Sequence, residues 1–117
     1  MLGPTGVLLE RYLDVLAARQ RITASNIANA DTPGYRSREI DFRNEMQSLL
    51  FQPRSAERPP AILVRESWDP PARNDGNNVN LDREMTALAD NLVRFTVASL
   101  LLQKKARGLR SVIQEGR

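Results

Sequence analysis

Residues 81–113, LDREMTALADNLVRFTVASLLLQKKARGLRSVI, carry the most regular pattern in this chain. Their apolar positions alternate spacings of four and three residues without a skip, which is the period of a left-handed coiled coil. Asp82 and Glu84 lie in the first turn and a basic cluster lies near the end, so both ends suit the helix dipole. We therefore predict a C-terminal helix with a basic tail over residues 81–117. Its apolar seam consists of Leu81, Met85, Leu88, Leu92, Phe95, Ser99, Leu102, Ala106, Leu109 and Ile113.

Residues 1–30 carry a second helical pattern, which is shorter and less regular. Thr5 is the predicted N-cap, and Pro33 marks the end because proline disfavours the α conformation of the residue before it. Folded back onto the C-terminal helix, this helix covers only part of the apolar seam, so we expect a partner to complete the burial. Its apolar face is formed by Leu8, Leu9, Tyr12, Leu13, Val15, Leu16, Ile22 and Ile27.

Residues 31–80 form a turn followed by a proline-rich segment. The prolines break any long periodicity, residues 61–64 are apolar enough for a short strand, and Asn74-Asp75-Gly76 is a turn signal. We predict an irregular linker with at most a small β-hairpin. The expected fold is therefore mainly α, a single domain over residues 1–117 in which long terminal helices pair as a coiled coil. The breaking prolines are Pro53, Pro59, Pro60, Pro70 and Pro71.

The composition excludes several classes of function. The chain has 117 residues with no cysteine and no histidine, so it lacks thiolate metal ligands and the commonest general base. The acidic residues around 75–84 do not have the spacing of a calcium-binding loop. We predict no catalytic, cofactor or metal site.

The charge and hydropathy of the chain bear on nucleic acids and membranes. The net charge is +3, and the last fifteen residues hold five basic side chains against one acidic side chain. The rest of the chain is charge-balanced and contains no recognition motif, so we expect no nucleic-acid binding. No segment approaches the roughly 18 apolar residues that a membrane span needs, and the N-terminus lacks a conventional signal sequence. We expect no direct membrane insertion.

The stretch from Ala24 to Tyr35, ASNIANADTPGY, is the most specific motif. Pro33 fits position i+1 of a β-turn, and Gly34 fits position i+2 of a type II turn because glycine accepts a positive φ. Asn29 or Asp31 can bond to neighbouring backbone groups. Taken alone, the motif is typical of a capped helix end. The candidate turn residues are Asn26, Asn29, Asp31, Thr32, Pro33, Gly34 and Tyr35.

This motif resembles the N-terminal signature of the flagellar axial proteins, which form the rod, hook and hook–filament junction. The following residues 36–42, RSREIDF, are similar to the short proximal-rod members of that family. Residues 75–85, DGNNVNLDREM, resemble the family's entry into its C-terminal helix. The matched ends cover roughly two thirds of the chain, and the linker is not diagnostic.

The resemblance implies a structural subunit of the flagellar basal body, whose terminal helices polymerise into the drive-shaft between the membrane ring and the distal rod and hook. The implied partners are other copies, neighbouring rod proteins, the rod-to-membrane-ring adaptor and the flagellar type III export apparatus. The implied location is the rod in the periplasmic space, reached without a cleaved signal peptide. The residues expected to pack helices in the assembly are Leu9, Leu13, Leu16, Ile27, Met85, Leu88, Leu92, Phe95, Leu102, Leu109 and Ile113.

Two alternatives fit the helical pattern. One is another flagellar axial protein, such as the neighbouring rod protein FlgC. The other is a soluble coiled-coil adaptor or secretion chaperone, which the periodicity alone fits equally well. The ANADTPGY block (residues 28–35) favours the rod subunit over the adaptor or chaperone, and FlgC usually differs around the TPGY turn.

Overall fold

A computed structural model describes residues 3–51, 62–68 and 70–115. The elements in chain order are α1 (Gly3–Ala28), β1 (Arg38–Ile40), α2 (Phe42–Phe51), β2 (Val64–Glu66) and α3 (Leu81–Glu115). The molecule measures 68 × 27 × 16 Å, because α3 extends along its length. The predicted fold class is confirmed: the chain is mainly helical, and its two long terminal helices pack against each other.

The helices α1 and α3 are antiparallel. Asn91 of α3 contacts the Leu16 carbonyl of α1, whereas Arg94, further along α3, contacts Tyr12, which comes earlier in α1. Asn80 caps the start of α3, since its side-chain oxygen accepts a hydrogen bond from the Arg83 backbone at 3.1 Å. With 26 residues against 35, α1 is too short to cover α3 along its whole length.

The ends of α1 differ from the sequence prediction. The helix begins at Gly3, so the prediction of Thr5 as N-cap is wrong and Thr5 lies inside the first turns. It ends at Ala28, two residues before the predicted end at Ala30. The Ala30 N–H donates to the Ile27 carbonyl at 3.2 Å, so the chain tightens into a turn before it reaches Pro33.

Helix α2 is a feature that the sequence analysis does not predict, and the expectation of irregular structure is wrong for these ten residues. Asp41 caps the helix, because its carboxylate accepts a hydrogen bond from the Asn44 N–H at 3.1 Å. Phe42 then packs edge-on against Tyr12 of α1, with ring centroids 5.6 Å apart. This contact between elements stabilises a helix that its own short pattern does not specify.

The strands β1 and β2 form a two-stranded antiparallel sheet in which Glu39 lies opposite Arg65 and Ile40 opposite Val64. Because α2 lies between them in the chain, they are not a simple hairpin. The predicted strand at 61–64 overlaps β2 only at Val64, and Ala61 lies outside the described residues, as do Pro53, Pro59 and Pro60. The small core that the sheet helps to close contains Val15, Ala18 and Ile40, with Ile22, Phe42 and Ile62 packed against it.

Candidate assembly interface

The predicted turn is present after α1. The Tyr35 N–H donates to the Thr32 carbonyl at 3.2 Å, and Gly34 has a φ of +76°. A positive φ at the third position of a Pro-Gly turn is the type II geometry that the sequence predicts. Asp31, Thr32, Pro33 and Gly34 are exposed, so the tip of the turn is presented to solvent.

Asn26 fixes the chain on both sides of this turn. Its side chain is 1% exposed, and its Nδ2 donates to the Arg38 carbonyl at 2.8 Å. Its Oδ1 accepts hydrogen bonds from the Tyr35 hydroxyl and the Arg38 N–H, both at 3.0 Å. One amide therefore ties the last turns of α1 to the start of β1.

A second loop, which precedes α3, packs onto the turn. Asn77 Nδ2 donates to the carbonyl oxygens of Asn29 at 2.8 Å and Thr32 at 2.9 Å. The Gly34 N–H donates to the Asp75 carbonyl at 2.7 Å. We call the contact between residues 26–38 and residues 73–79 the loop junction. It brings together the two sequence motifs that lie at opposite ends of the linker.

Gly76 marks the closest approach within the loop junction. Its φ is +85°, and a Cβ at this position would lie 3.2 Å from the Gly34 Cα atom. A side chain here would be strained by the backbone conformation and would also press on the neighbouring turn. Glycine at position 76 is thus required by both the turn and the contact.

Two residues that sequence reasoning does not single out, Asn77 and Asn78, are fully buried in the junction. The Asn78 Oδ1 accepts a hydrogen bond from the Ser37 N–H, and its Nδ2 donates to the Ser67 carbonyl, both at 2.7 Å. The run of asparagines after Gly76 is the available signal, since short amide side chains commonly bond to backbone groups. Their partners are distant in sequence, so the pattern alone does not identify them.

The loop junction is suited to holding the chain rather than to chemistry. Its central groups are neutral amides and backbone atoms, which neither accept protons nor attack substrates near neutral pH. In the ranges 3–51, 62–68 and 70–115, no group of three acidic, histidine or cysteine side chains could hold a metal ion. The junction connects α1, the sheet and α3.

The face of α3 that packs against α1 is only weakly apolar. Its buried members are Glu84, Asn91 and Ala98, of which only Ala98 is apolar. Asn91 Nδ2 donates to the Leu16 carbonyl at 2.9 Å and to Gln20 Oε1 at 3.0 Å. Asp90, next to it, accepts from Arg19 of α1 at 3.1 Å and from Arg94 at 2.8 Å. Polar contacts therefore form much of this helix pair.

Most of the predicted packing residues of α3 lie outside that contact. Leu92 is 64% exposed and Phe95 is 40% exposed, whereas Ala98 is 1% exposed. Leu88 and Leu102 are half-buried at the border of the contact, and in α1 Leu16 is buried while Leu9, Leu13 and Ile27 are half-buried. The exposed apolar surface of α3 is formed by Leu81, Met85, Leu92, Val93, Phe95, Val97, Leu100, Leu101, Leu109, Val112 and Ile113.

This surface gives one part of α3 a high mean hydropathy. By length and composition, the helical segment Leu81–Arg110 could cross a membrane. A window of 18 residues within it has a mean hydropathy of 1.3, and 11% of that window is buried. The prediction that no segment approaches a membrane span is therefore wrong by length and composition. Polar residues such as Asp90 and Arg94 interrupt the apolar run, but the mean hydropathy of the run stays as high as that of a membrane span.

Two carboxyl groups of α3 have displaced pKa values. Burial raises the pKa of Glu84, although a hydrogen bond from Asn26 and the nearby Arg83 and Arg19 act in the opposite direction. The hydrogen bonds from Arg94 and Arg19 lower the pKa of Asp90. Both shifts have structural causes at the α1–α3 contact.

Comparison with known proteins gives concordant matches. A model of the family described as flagella basal body rod protein matches residues 13–36, which include the turn motif. The chain is 34% identical to the flagellar basal body rod protein FlgB of Salmonella typhimurium, over 92% of this chain and 91% of that protein. It is 36% identical to the FlgB protein of Yersinia enterocolitica, over 92% of this chain and 91% of that protein. It is 30% identical to the FlgB protein of Borrelia hermsii, over 77% of this chain and 81% of that protein.

Proposed function

This chain belongs to the FlgB family of flagellar basal body rod proteins and is a structural subunit of the proximal rod, and we propose that it polymerises through its terminal helices. The observation that carries the proposal is the exposed apolar surface of α3. Apolar side chains on one continuous helix gain free energy when another surface removes them from water. The pairing with α1 leaves this surface open.

A protein surface suits α3 better than lipid does. Asp90 and Arg94 lie in the middle of the apolar region and form an ion pair at 2.8 Å. Charged side chains are costly at the centre of a bilayer, whereas a neighbouring helix can pack around them. We therefore propose that α3 is covered by other helices and does not insert into the membrane.

The partners follow from the family resemblance and from this surface. We propose contacts with other copies of the chain, with neighbouring rod proteins and with the adaptor that joins the rod to the membrane ring. We also propose that the subunit passes through the flagellar type III export apparatus to the periplasmic space. The FlgB relatives are rod proteins. We propose that this chain likewise has a structural role and catalyses no reaction.

A complementation assay tests the assembly role. Leu92→Ala and Phe95→Ala should abolish rod incorporation and motility while the protein is still exported. In the rod we expect both side chains to be buried between subunits, where replacing Leu or Phe by Ala typically costs about 2–5 kcal/mol of stability. That cost recurs in every subunit. Lys104→Gln, an exposed change on the same helix, should be mild because exposed charge pairs contribute about 0–1 kcal/mol. Secreted and rod-incorporated protein are measured separately.

The exposure of Leu92 makes this test specific for assembly. Since its side chain is 64% exposed in the subunit, its truncation should leave the fold of the free subunit intact. If Lys104→Gln stopped assembly while both apolar variants were tolerated, a charged partner would bind the tail and the packing proposal would be wrong. Retention of the wild-type chain in the membrane fraction after alkaline extraction would contradict the absence of membrane insertion.

A further inference from the structure

The rotation of α3 about its own axis is not the one that apolar burial alone would select. The face turned toward α1 carries Glu84, Asn91 and Ala98, while Met85 and Leu92 remain 55% and 64% exposed. Leu92 follows Asn91 in the chain and lies about 100° further round the helix. A rotation of that size would turn the apolar seam toward α1 and bury more apolar surface.

Asn91 is the residue whose contacts depend most directly on the observed rotation. Its side chain is 2% exposed and donates to both the Leu16 carbonyl and Gln20 Oε1. Turning α3 by one residue would carry this amide away from both acceptors.

The Asn91 amide is also incompletely satisfied. Its Oδ1 is buried without a hydrogen-bond partner among the described residues. A buried polar group with an unused acceptor contributes little net stability. Buried asparagines between paired helices are known instead for selecting one arrangement over others at a cost in stability.

We propose that Asn91 selects which face of α3 packs against α1, and that it thereby keeps the apolar seam turned outward. This selection is inferred from the contacts of Asn91 and does not depend on the proposed polymerisation. Its consequence, an assembly surface kept free for other subunits, rests on the proposed polymerisation. The loop junction positions the first turn of α3, which contains Glu84. Asn91 lies about two turns after Glu84 and fixes the rotation of the helix there.

The absence of cysteine allows a direct measurement of the rotation. Single reporters Met85→Cys and Ala98→Cys are introduced separately into the otherwise wild-type chain and into the Asn91→Ala variant, which removes the amide without adding a large apolar side chain to the inner face. Maleimide labelling of the purified subunit should be fast at position 85 and slow at position 98, which are 55% and 1% exposed. In the Asn91→Ala background, labelling should slow several-fold at position 85 and accelerate several-fold at position 98.

Thr96→Ala is the matched control, because it removes a hydrogen-bonding side chain from an exposed position of α3 without touching Asn91. It should leave both labelling rates unchanged. Unchanged rates in Asn91→Ala would overturn the proposal. Rapid labelling at both positions, with loss of helical circular dichroism, would also overturn it, because Asn91 would then supply stability rather than select a face.

The labelling experiment is independent of the rod. If the rates respond as expected, Asn91→Ala should also lower incorporation into rods while its thermal midpoint stays close to that of the wild type. If the rates do not respond, the effect of Leu92→Ala on incorporation still decides the proposed function separately.

Discussion

At the scale of single residues, the loop junction combines a turn between adjacent residues with amide contacts between residues far apart in the chain. The type II turn at Pro33-Gly34 depends on two adjacent residues, and its predicted geometry is confirmed by the φ of +76° at Gly34. Asn77 contacts carbonyl groups of Asn29 and Thr32, 48 and 45 positions away in the chain. No local pattern specifies such partners, because they depend on how α1 and α3 pair.

The two glycines of the loop junction should differ in their tolerance of a side chain. Gly34→Ala meets open space and should cost about 1 kcal/mol for its positive φ alone. Gly76→Ala should cost more, because its Cβ would also lie 3.2 Å from Gly34. Gly108→Ala, in the exposed part of α3, should stabilise the helix by about 0.5–1 kcal/mol. Urea unfolding gives the ranking, and equal costs at positions 34 and 76 would refute the close contact.

Glu84 should make the stability of the subunit depend on pH. Its folded pKa is raised by burial, so its stabilising contribution is present below the unfolded pKa and is lost as pH rises through the folded pKa. Glu84→Gln resembles the protonated group and should raise the urea midpoint at pH 7 but change it little at pH 4. Glu10→Gln, on the exposed side of α1, is the control and should show no such difference. A lower midpoint for Glu84→Gln at pH 7 would mean that its charge stabilises the fold.

At the scale of elements, periodicity identified the helices but not the surface that each one contacts. The four-three pattern correctly places a long helix at α3, and the same pattern describes the seam that α1 leaves largely exposed. The inner face is recognisable only from the contacts of Asn91 and its neighbours. The sequence pattern does not predict α2 for a related reason. Its stability comes from the packing of Phe42 against α1 rather than from the helical periodicity of its ten residues.

Phe42 should be the main anchor of α2. Its ring packs against Tyr12 and lies 5.8 and 5.7 Å from the guanidinium carbons of Arg19 and Arg94. Phe42→Ala should lower the free energy of unfolding, toward the lower end of the roughly 3–5 kcal/mol found for buried phenylalanines, because the side chain is half-buried. Phe51→Ala, in the same helix but 83% exposed, is the matched control and should be nearly neutral. Similar losses for both variants would show that α2 is anchored elsewhere.

At the scale of the whole molecule, the unequal lengths of the two long helices decide where the free subunit is exposed. Leu109, Val112 and Ile113 are exposed near the end of α3, whereas Ala98 is buried against α1. A helix without packing is marginally stable in water. The elongated shape therefore combines a packed region near the loop junction with a weakly supported end.

The purified subunit should accordingly be incompletely helical and be digested first at its ends. Limited trypsin treatment should cut after Arg107 and Arg110 before it cuts after Arg19 or Arg94, since the latter pair lies in the ion-paired contact between α1 and α3. Mass spectrometry of early fragments gives the order, and incorporation into rods should protect the C-terminal sites. Uniform, cooperative hydrogen-exchange protection along α3 in the free subunit would contradict this expectation.

The amide contacts of the loop junction have a consequence for the conditions that the molecule can withstand. The bonds made by the amides of Asn26, Asn77 and Asn78 join uncharged groups, so dissolved ions do not screen them as they screen exposed ion pairs. The ion pairs of Arg65 with Glu39 and Asp41, which are exposed, should weaken in concentrated salt. The amide contacts of the loop junction should therefore keep their geometry as the salt concentration of the surroundings changes.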